Sequence, residues 1–274
     1  MILSIIASVI IAASSVTITE PVDGDTCSGD WLTVRAIVEN ANTLPDSVHY
    51  TLNGGDVIAV PRLNTDWYTY MANDCHTGYS ESPGPEDSTI LWTAQVTGKY
   101  HEFPTPVVVN GIVYYPQDSD GDSLYALNAA TGEIIWTYRT GYTDDAVTVK
   151  NGYLYTSSDS LWCLDALTGE RIWANGEATG SASTPAVYGD AVFSCSSDFN
   201  ANTSAAYSLD AGTGAVNWST DVSGTAGSCL TAWNNMLFMP TYRGPLYAFS
   251  ISNGEIIWQN TDAQNGYWDS SPVI

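Results

Sequence analysis

Three aspartates that alternate along one short stretch are the residues of this sequence best placed to bind a metal ion. Asp118, Asp120 and Asp122 stand in "DSDGDS", residues 118–123, around Gly121. Carboxylate oxygens on a tight loop are ligands that calcium prefers. The twelve-residue calcium loop also needs a glutamate at its end, whereas this segment runs into the apolar "LYALN". Two interpretations stay open, a calcium site and, better supported by the residues, a structural turn.

Other residues that could do chemistry are few and scattered. The three histidines, His49, His76 and His101, do not have a metal-binding spacing. The sequence contains no G-x-S-x-G, H-E-x-x-H or glycine-rich phosphate loop. Catalysis requires acid, base or nucleophile residues that converge on one place, and no such set is visible. We therefore assign no catalytic residue.

The five cysteines lie far apart, at positions 27, 75, 163, 195 and 229, without a C-x-x-C pair. This spacing does not favour a zinc site. In an exported protein one or two disulfides are expected, and Cys27 with Cys75 is the candidate pair because both lie outside the repeats described below. Cys163 lies within a repeat strand, which is typical of a small core residue.

The chain is strongly acidic, with 30 acidic residues, 7 basic residues and a formal net charge of −23. Such a charge repels nucleic acid and anionic lipid, and it favours cations or basic partners. We therefore exclude nucleic-acid binding. The charge has a second interpretation, a hydrated surface that keeps the protein soluble.

Residues 1–16, "MILSIIASVIIAASSV", form an uncharged apolar run that ends in small residues. About 14 apolar residues are too few for a stable membrane span but suit the core of a signal peptide. The alternative is a buried first strand or helix, because the segment lacks the usual lysine or arginine. No cysteine stands just after the run, so a lipid anchor at that place is not supported. We predict an exported protein, either secreted, periplasmic or at the cell surface.

One thirteen-residue pattern occurs four times in the rest of the chain. The copies have glycine at the ninth place and tryptophan at the thirteenth, and Trp92 closes a degenerate preceding copy. Successive tryptophans are 44, 37, 45 and 40 residues apart. The copies are "LYALNAATGEIIW" (124–136), "LWCLDALTGERIW" (161–173), "AYSLDAGTGAVNW" (206–218) and "LYAFSISNGEIIW" (246–258).

Each period also contains a short hairpin before the pattern. Its turn pairs, such as Asn110-Gly111 and Asn151-Gly152, tolerate the positive φ that two-residue loops need. One period therefore gives four antiparallel strands, and four strands per roughly 40–45 residues is the blade of a β-propeller. We predict that glycine allows the turn into the outer strand and that tryptophan fills the wedge between blades. These docking residues are Trp92, Trp136, Trp173, Trp218, Trp258, Gly132, Gly169, Gly214 and Gly254.

The pattern "LYALNAATGEIIW" resembles the tryptophan-docking repeat of pyrroloquinoline-quinone-type propellers. That group includes quinoprotein alcohol dehydrogenases and the outer-membrane assembly lipoprotein BamB. Residues 66–92 look like the usual lead-in to such a propeller, so the resemblance covers about residues 66–274. The resemblance strongly implies the propeller fold. It only weakly implies any one function, because the motif serves the packing of blades in enzymes and non-enzymes alike.

The resemblance leads us to expect an incomplete propeller. The last residues, "WDSSPVI" (268–274), match the start of a further blade. Propellers of this kind close with about seven or eight blades, so we expect a C-terminally truncated fragment of four blades and a fifth strand start. A ring of four or five blades and closure by oligomerisation are the alternatives.

The segment before the propeller does not share the repeat. Residues 17–64 contain short β-type runs separated by Asp/Gly and Asn/Pro turns. They are similar to a small immunoglobulin-like β-sandwich module, and a β extension packed on the propeller is the alternative. The fold class is therefore all-β: residues 1–16 a signal peptide, 17–64 the small module and 65–274 the incomplete propeller.

The sequence has clear propeller repeats but no catalytic set. It therefore predicts a non-catalytic propeller that binds a protein or a glycan through its loops. The loops nearest the channel begin near Thr105, Asp144, Ser183, Ser228 and Ser270, and a solvated channel mouth would look the same. An envelope assembly factor similar to BamB is the first alternative. A fragment of a dehydrogenase that uses pyrroloquinoline quinone is the second. The resemblance implies that such an enzyme has a disulfide between adjacent cysteines, and the absence of adjacent cysteines from this sequence counts against it. We predict no cofactor, with calcium the only ion for which the residues offer ligands.

Overall fold

In the computed structural model, all regular elements of the described residues are β-strands. The described residues are 15–20, 35–39, 47–51, 57–61, 66–74, 76–79, 88–94, 105–117, 123–141, 146–178, 183–198, 200–226, 229–242, 244–261 and 272. Within these ranges no helix is long and apolar enough to cross a membrane. The chain divides into two units, residues 1–64 and residues 65–274.

The first unit contains two separate antiparallel hairpins. Strand β1 (Ser15–Glu20) pairs with β2 (Arg35–Glu39), and β3 (Ser47–Thr51) pairs with β4 (Val57–Pro61). The two hairpins form two separate two-stranded sheets. The immunoglobulin-like module and the β extension both require such strands, so the choice between them stays a prediction.

The second unit contains four consecutive antiparallel sheets, as the repeat predicts for propeller blades. Strands follow one another in sequence within each sheet, from an inner first strand to an outer last strand. The strands of the first blade are β5 (Val107–Val109), β6 (Ile112–Gln117), β7 (Ser123–Asn128) and β8 (Ile134–Arg139), and those of the second are β9 (Thr148–Lys150), β10 (Tyr153–Ser157), β11 (Leu161–Asp165) and β12 (Arg171–Asn175).

The third and fourth blades depart slightly from this plan. A short additional strand, β17, pairs with the second strand of the fourth blade and makes its sheet five-stranded. The third blade has β13 (Ala186–Tyr188), β14 (Ala191–Asp198), β15 (Thr203–Asp210) and β16 (Val216–Ser223), and the fourth has β17 (Thr225–Ala226), β18 (Thr231–Trp233), β19 (Met236–Tyr242), β20 (Leu246–Ser250) and β21 (Ile256–Asn260).

The core lies between facing blades rather than inside one of them. Leu124 of the first blade packs with Leu154 and Leu164 of the second, and all three side chains are fully buried. Equivalent clusters join the second blade to the third and the third to the fourth. A fully buried leucine contributes about 1.5–3 kcal/mol of transfer free energy. Each interface therefore stabilises both of the blades that form it.

Candidate functional site

Four tryptophan joints lie at the outer edge: one connects residues 88–94 to the first blade, and three connect successive blades. In each joint a tryptophan ring lies directly against a glycine of the next turn, whose φ is between +72° and +74°. A Cβ atom on any of these glycines would lie 2.5 or 2.6 Å from the tryptophan ring. The pairs are Trp92 with Gly132, Trp136 with Gly169, Trp173 with Gly214, and Trp218 with Gly254.

Each docked indole is also held by one hydrogen bond. The N–H groups of Trp92, Trp136, Trp173 and Trp218 donate to backbone carbonyls of the turn that carries the docked glycine, at 2.8, 3.1, 3.0 and 2.8 Å. Trp258 differs from these four, because its side chain is 39% exposed and its ring contact is Phe238 of the same blade. The joints satisfy a buried donor and fill a wedge, so they hold blades together and offer no reactive group.

Two joints have a second anchor. Tyr114 donates its hydroxyl to the Ala166 carbonyl at 3.0 Å, and Tyr155 donates to the Ala211 carbonyl at 3.1 Å. These are the same carbonyls that accept the indole N–H groups of Trp136 and Trp173. Burial raises the pKa of both phenols, so they remain protonated donors at neutral pH.

A segment that does not belong to the repeat lies along the inner strands. We call residues 66–74 and 76–79 the axial segment. Trp67 forms an antiparallel bridge with Val108 of β5, with N–O distances of 2.7 and 2.8 Å. The next residue, Tyr68, accepts a hydrogen bond from the Val149 N–H of β9 at 2.7 Å. The segment therefore adds backbone hydrogen bonds to the first and second blades at their inner edges.

Two buried threonines connect the axial segment to two blades each. Thr148 donates to the Pro185 carbonyl at 2.5 Å and hydrogen-bonds the Thr69 hydroxyl at 2.8 Å. Thr231 stands at the same place in the fourth blade, since both residues begin the inner strand. It donates to the Pro272 carbonyl at 2.9 Å and lies 3.1 Å from the His76 ring. In both cases the hydroxyl links a blade, the segment and the residues of a following repeat.

His76 is suited to holding the segment and not to proton transfer with a ligand. Its side chain is buried, and desolvation lowers its pKa below the usual value, opposed by the Pro272 carbonyl and the Asp74 charge. The ring is therefore neutral at pH 7. Because Thr231 already donates to Pro272, its oxygen is free to accept a hydrogen bond from Nδ1–H of His76. This favours the tautomer that is protonated at Nδ1.

An ion pair completes the contacts of the axial segment. The ammonium of Lys150 lies 2.6 Å from Asp74, donates to the Val187 carbonyl at 2.9 Å and lies 5.8 Å from the centre of the Tyr68 ring. Lys150 belongs to the second blade and Val187 to the third. The axial segment thus bonds directly to the first, second and fourth blades, and it reaches the third blade only through Lys150 and Thr148 of the second.

The residues predicted at the channel mouth are largely inside the protein. Ser183, Thr184 and Cys229 are buried, with exposed fractions of 4% or less. Thr105 is half-buried, and the entrances at positions 144, 228 and 270 lie outside the described residues. Sequence reasoning missed the axial segment because "DWYTYMAND" has no periodicity and its partners are distant in the chain.

The predicted metal and disulfide residues cannot be placed. Asp118, Asp120 and Asp122 lie outside the described residues, and so do Cys27 and Cys75. The cysteines at 163, 195 and 229 are buried thiols that form no disulfide. Burial raises the pKa of Cys163 to about 12, which makes it an unreactive thiol at neutral pH.

The described residues do not fit a calcium-bound quinone. Such a group needs a set of carboxylate and amide oxygens around the ion. Within the described ranges no group of three or more His, Cys, Asp and Glu side chains could hold a metal ion. At the inner strands the hydroxyl of Thr148, the imidazole of His76 and the ammonium of Lys150 bond to the chain itself.

Comparison with solved structures gives the same fold. A quinohemoprotein alcohol dehydrogenase from Pseudomonas putida HK5 is 18% identical, with a TM-score of 0.61, over 73% of this chain and 40% of that one. The corresponding enzyme from Comamonas testosteroni is 19% identical, with a TM-score of 0.62, over 72% and 41%. A europium-containing methanol dehydrogenase is 14% identical, with a TM-score of 0.59, over 72% and 49%. This chain thus spans less than half the length of each relative.

Comparison of sequences identifies the family. No curated protein matches the sequence. The family profile described as outer membrane protein assembly factor BamB matches residues 83–202 and 157–272, which together include most of the second unit. The matched residues contain all four tryptophan joints. The chain therefore belongs to the BamB-type family of β-propeller repeat proteins.

Proposed function

We propose that this protein is a non-catalytic scaffold, exported to the cell envelope or surface, that binds a protein partner on its outer strands. The observation that carries the proposal is a set of exposed apolar side chains at the same place in every blade. We call this set the rim stripe, and its members are 36–52% exposed: Ile134, Ile135, Ile172, Val216, Ile256 and Ile257.

The rim stripe is not needed for the packing of the blades. Its residues precede the tryptophan of each copy by one or two positions, while the tryptophan itself makes the joint. Exposed isoleucine at one recurring place costs solubility unless another surface covers it. A partner with an apolar centre would cover the stripe, and basic residues around that centre would suit a chain of net charge −23.

The sequence shows no recognisable set of acid, base or nucleophile residues, which supports the non-catalytic part of the proposal. Polar side chains at the inner strands, such as Thr148, His76 and Lys150, are engaged in bonds within the chain. We therefore propose that pyrroloquinoline quinone takes no part in the function. If the purified protein, supplied with the quinone and calcium, oxidised alcohols or sugars, this part would be wrong.

The family favours one specific version of the scaffold, an assembly factor for outer-membrane proteins. That activity is the one named for the matching family. It predicts that the partner belongs to the machinery that assembles outer-membrane proteins. A free surface protein that shares only the fold would not bind that machinery.

The test is affinity purification from envelope extract of the source cells after chemical cross-linking. A triple variant, Ile135→Thr, Ile172→Thr and Ile257→Thr, removes apolar side chains from three blades. A matched control, Thr137→Ala, Ala174→Thr and Gln259→Thr, changes exposed residues on the same three strands. We expect the control to retain the cross-linked partner and the rim variant to lose it.

Each outcome of this experiment has a definite meaning. Enrichment of outer-membrane assembly proteins supports the assembly factor, and enrichment of a different protein supports a scaffold of another kind. A partner that binds the rim variant as well as the control would remove the rim stripe as the binding surface.

A further inference from the structure

The third blade carries more residues than the packing of blades requires. Its strands β14, β15 and β16 have 8 residues each, whereas β10, β11 and β12 of the second blade have 5 each. The same excess gives the longest spacing between tryptophans, 45 residues from Trp173 to Trp218. The added residues are mostly Ser, Thr, Asn and Asp, so they do not extend the apolar core.

This extension is held rigidly on one side. The Ser197 hydroxyl donates to the Ala226 carbonyl at 2.9 Å, and the Ser204 hydroxyl donates to the Gly224 carbonyl at 2.9 Å. The Ala226 N–H in turn donates to Ser204 at 2.6 Å. These bonds fasten the back of the extension to β17 and the residue before it.

The extension borders an open cleft of about 670 Å³, whose lining includes Ser197 and Ser204 together with further hydroxyl, carboxylate and apolar side chains. Strand register places four polar side chains of the lining on one face of the sheet. Ser196 pairs with Ala205, which pairs in turn with Asp221. Two residues along the strands, Asp198 pairs with Thr203. Tyr207, two residues along β15, lies on the same face with its ring partly exposed. Ser196 is half-buried, and Thr203 and Asp221 are exposed, so a ligand in the cleft can reach both hydroxyls and the carboxylate.

We infer that this cleft binds a neutral oligosaccharide. An anionic ligand is disfavoured because the lining contains two carboxylates and no basic residue. An apolar ligand would leave the hydroxyls and carboxylates desolvated and unpaired. A neutral saccharide offers hydroxyls that donate to Asp198 and Asp221 and accept from Ser196 and Thr203, and its C–H face can lie on the Tyr207 ring.

A basic peptide is the competing ligand, since carboxylates and a tyrosine ring also attract cations. A lysine or arginine head only donates, so it could donate to Asp198, Asp221 and the hydroxyl oxygens, but it would offer no acceptor to the O–H groups of Ser196 and Thr203. The mixed set of donors and acceptors is therefore better matched by a saccharide. This site is separate from the rim stripe, so the inference does not depend on the proposed partner.

The test is isothermal titration calorimetry of the whole protein with maltohexaose, cellotetraose and chitotetraose at 0.15 M salt. We expect at least one of them to bind, and the double variant Asp221→Ala, Thr203→Val to weaken that binding by about tenfold or more. Both substituted residues are exposed, so the fold is retained. The control is Asp190→Ala, which removes an exposed acid of the same blade outside the cleft.

Three results would overturn the inference. The first is no heat of binding with any of the three oligosaccharides. The second is equal affinity of the wild-type protein and the double variant for an oligosaccharide that binds. The third is binding of hexalysine but of no saccharide, with loss of that binding at high salt, which would assign the cleft to basic peptides.

Discussion

The outer and inner edges of this propeller are joined in different ways. At the outer edge the same tryptophan and glycine meet four times, with a nearly constant φ and the same type of hydrogen bond. At the inner edge each contact is chemically different: a backbone bridge at Trp67, a hydroxyl pair at Thr148, an imidazole at His76 and an ion pair at Lys150.

The contacts at the outer edge stabilise single blade interfaces, whereas the contacts at the inner edge stabilise several blades together. The joints of Trp136, Trp173 and Trp218 each connect two neighbouring blades. Repeat proteins gain stability from such nearest-neighbour terms. The axial segment instead connects residues that are 79 and 155 positions apart, at Thr69 with Thr148 and at His76 with Thr231. Changes at the outer edge should therefore weaken one interface, and changes at the inner edge should weaken the cohesion of several blades.

The largest effect is expected from removal of a docked tryptophan. Trp173 is 8% exposed and Trp258 is 39% exposed, although both close the same sequence pattern. Trp173→Ala should cost about 3–5 kcal/mol of unfolding free energy, because it leaves a cavity between blades. Trp258→Ala should cost about 1 kcal/mol, in line with the smaller area that it buries. Urea unfolding of both variants measures this, and equal losses would contradict the role given to docking.

The next effect is expected at the glycine of the same joint. Gly214→Ala places a Cβ 2.5 Å from the Trp173 ring at a residue whose φ is +72°, and should cost about 3 kcal/mol. Gly189→Ala in the same blade is the control, because its φ is +59° and nothing lies within 4 Å of the added carbon. The control should cost about 1 kcal/mol, for the backbone alone. If both variants lose the same stability by urea unfolding, contact with the ring is not what requires glycine.

Sequence alone predicts the outer edge well because its signals repeat. The tryptophans and glycines could be assigned from spacing, and even the degenerate Trp92 lies against Gly132. Strand boundaries followed from turn pairs such as Asn110-Gly111, where φ is +51° and +76°. In a repeated pattern, the assignment of a residue in one copy can be checked against the equivalent residues of the other copies.

The inner edge could not be predicted from the sequence in the same way. Thr69 and His76 are single polar residues with partners far along the chain, and nothing local distinguishes them from exposed ones. The cleft of the third blade is an intermediate case. Its added residues are visible as the 45-residue spacing that ends at Trp218, but the face that they line depends on strand register. The aspartates of residues 118–122 remain a prediction.

A smaller effect is expected at the inner edge from the loss of one buried hydroxyl. Thr148→Val keeps the shape of the side chain but leaves the Pro185 carbonyl and the Thr69 hydroxyl without their partner. The cost should be about 2 kcal/mol, the usual penalty for buried polar groups that lose a bond. Thr137→Val is the control, because Thr137 is exposed on β8. If urea unfolding finds no difference between them, the axial segment does not stabilise the blades through Thr148.

The smallest effect is a pH dependence at His76. Burial lowers the pKa of this histidine in the folded protein below its usual value of 6.5. Below that pH the unfolded chain binds a proton at His76 more readily than the folded chain does. The contribution of His76 to stability is therefore full above about pH 6.5 and is lost as the pH falls below it.

His76→Asn is the matching variant, since asparagine tolerates the positive φ of 53° at this position and offers a donor. The difference in unfolding free energy between wild type and variant should narrow from pH 7.5 to pH 5.5. A constant difference over that range would show that His76 is equally protonated in both states, and would place its ring in contact with water rather than between Thr231 and the axial segment.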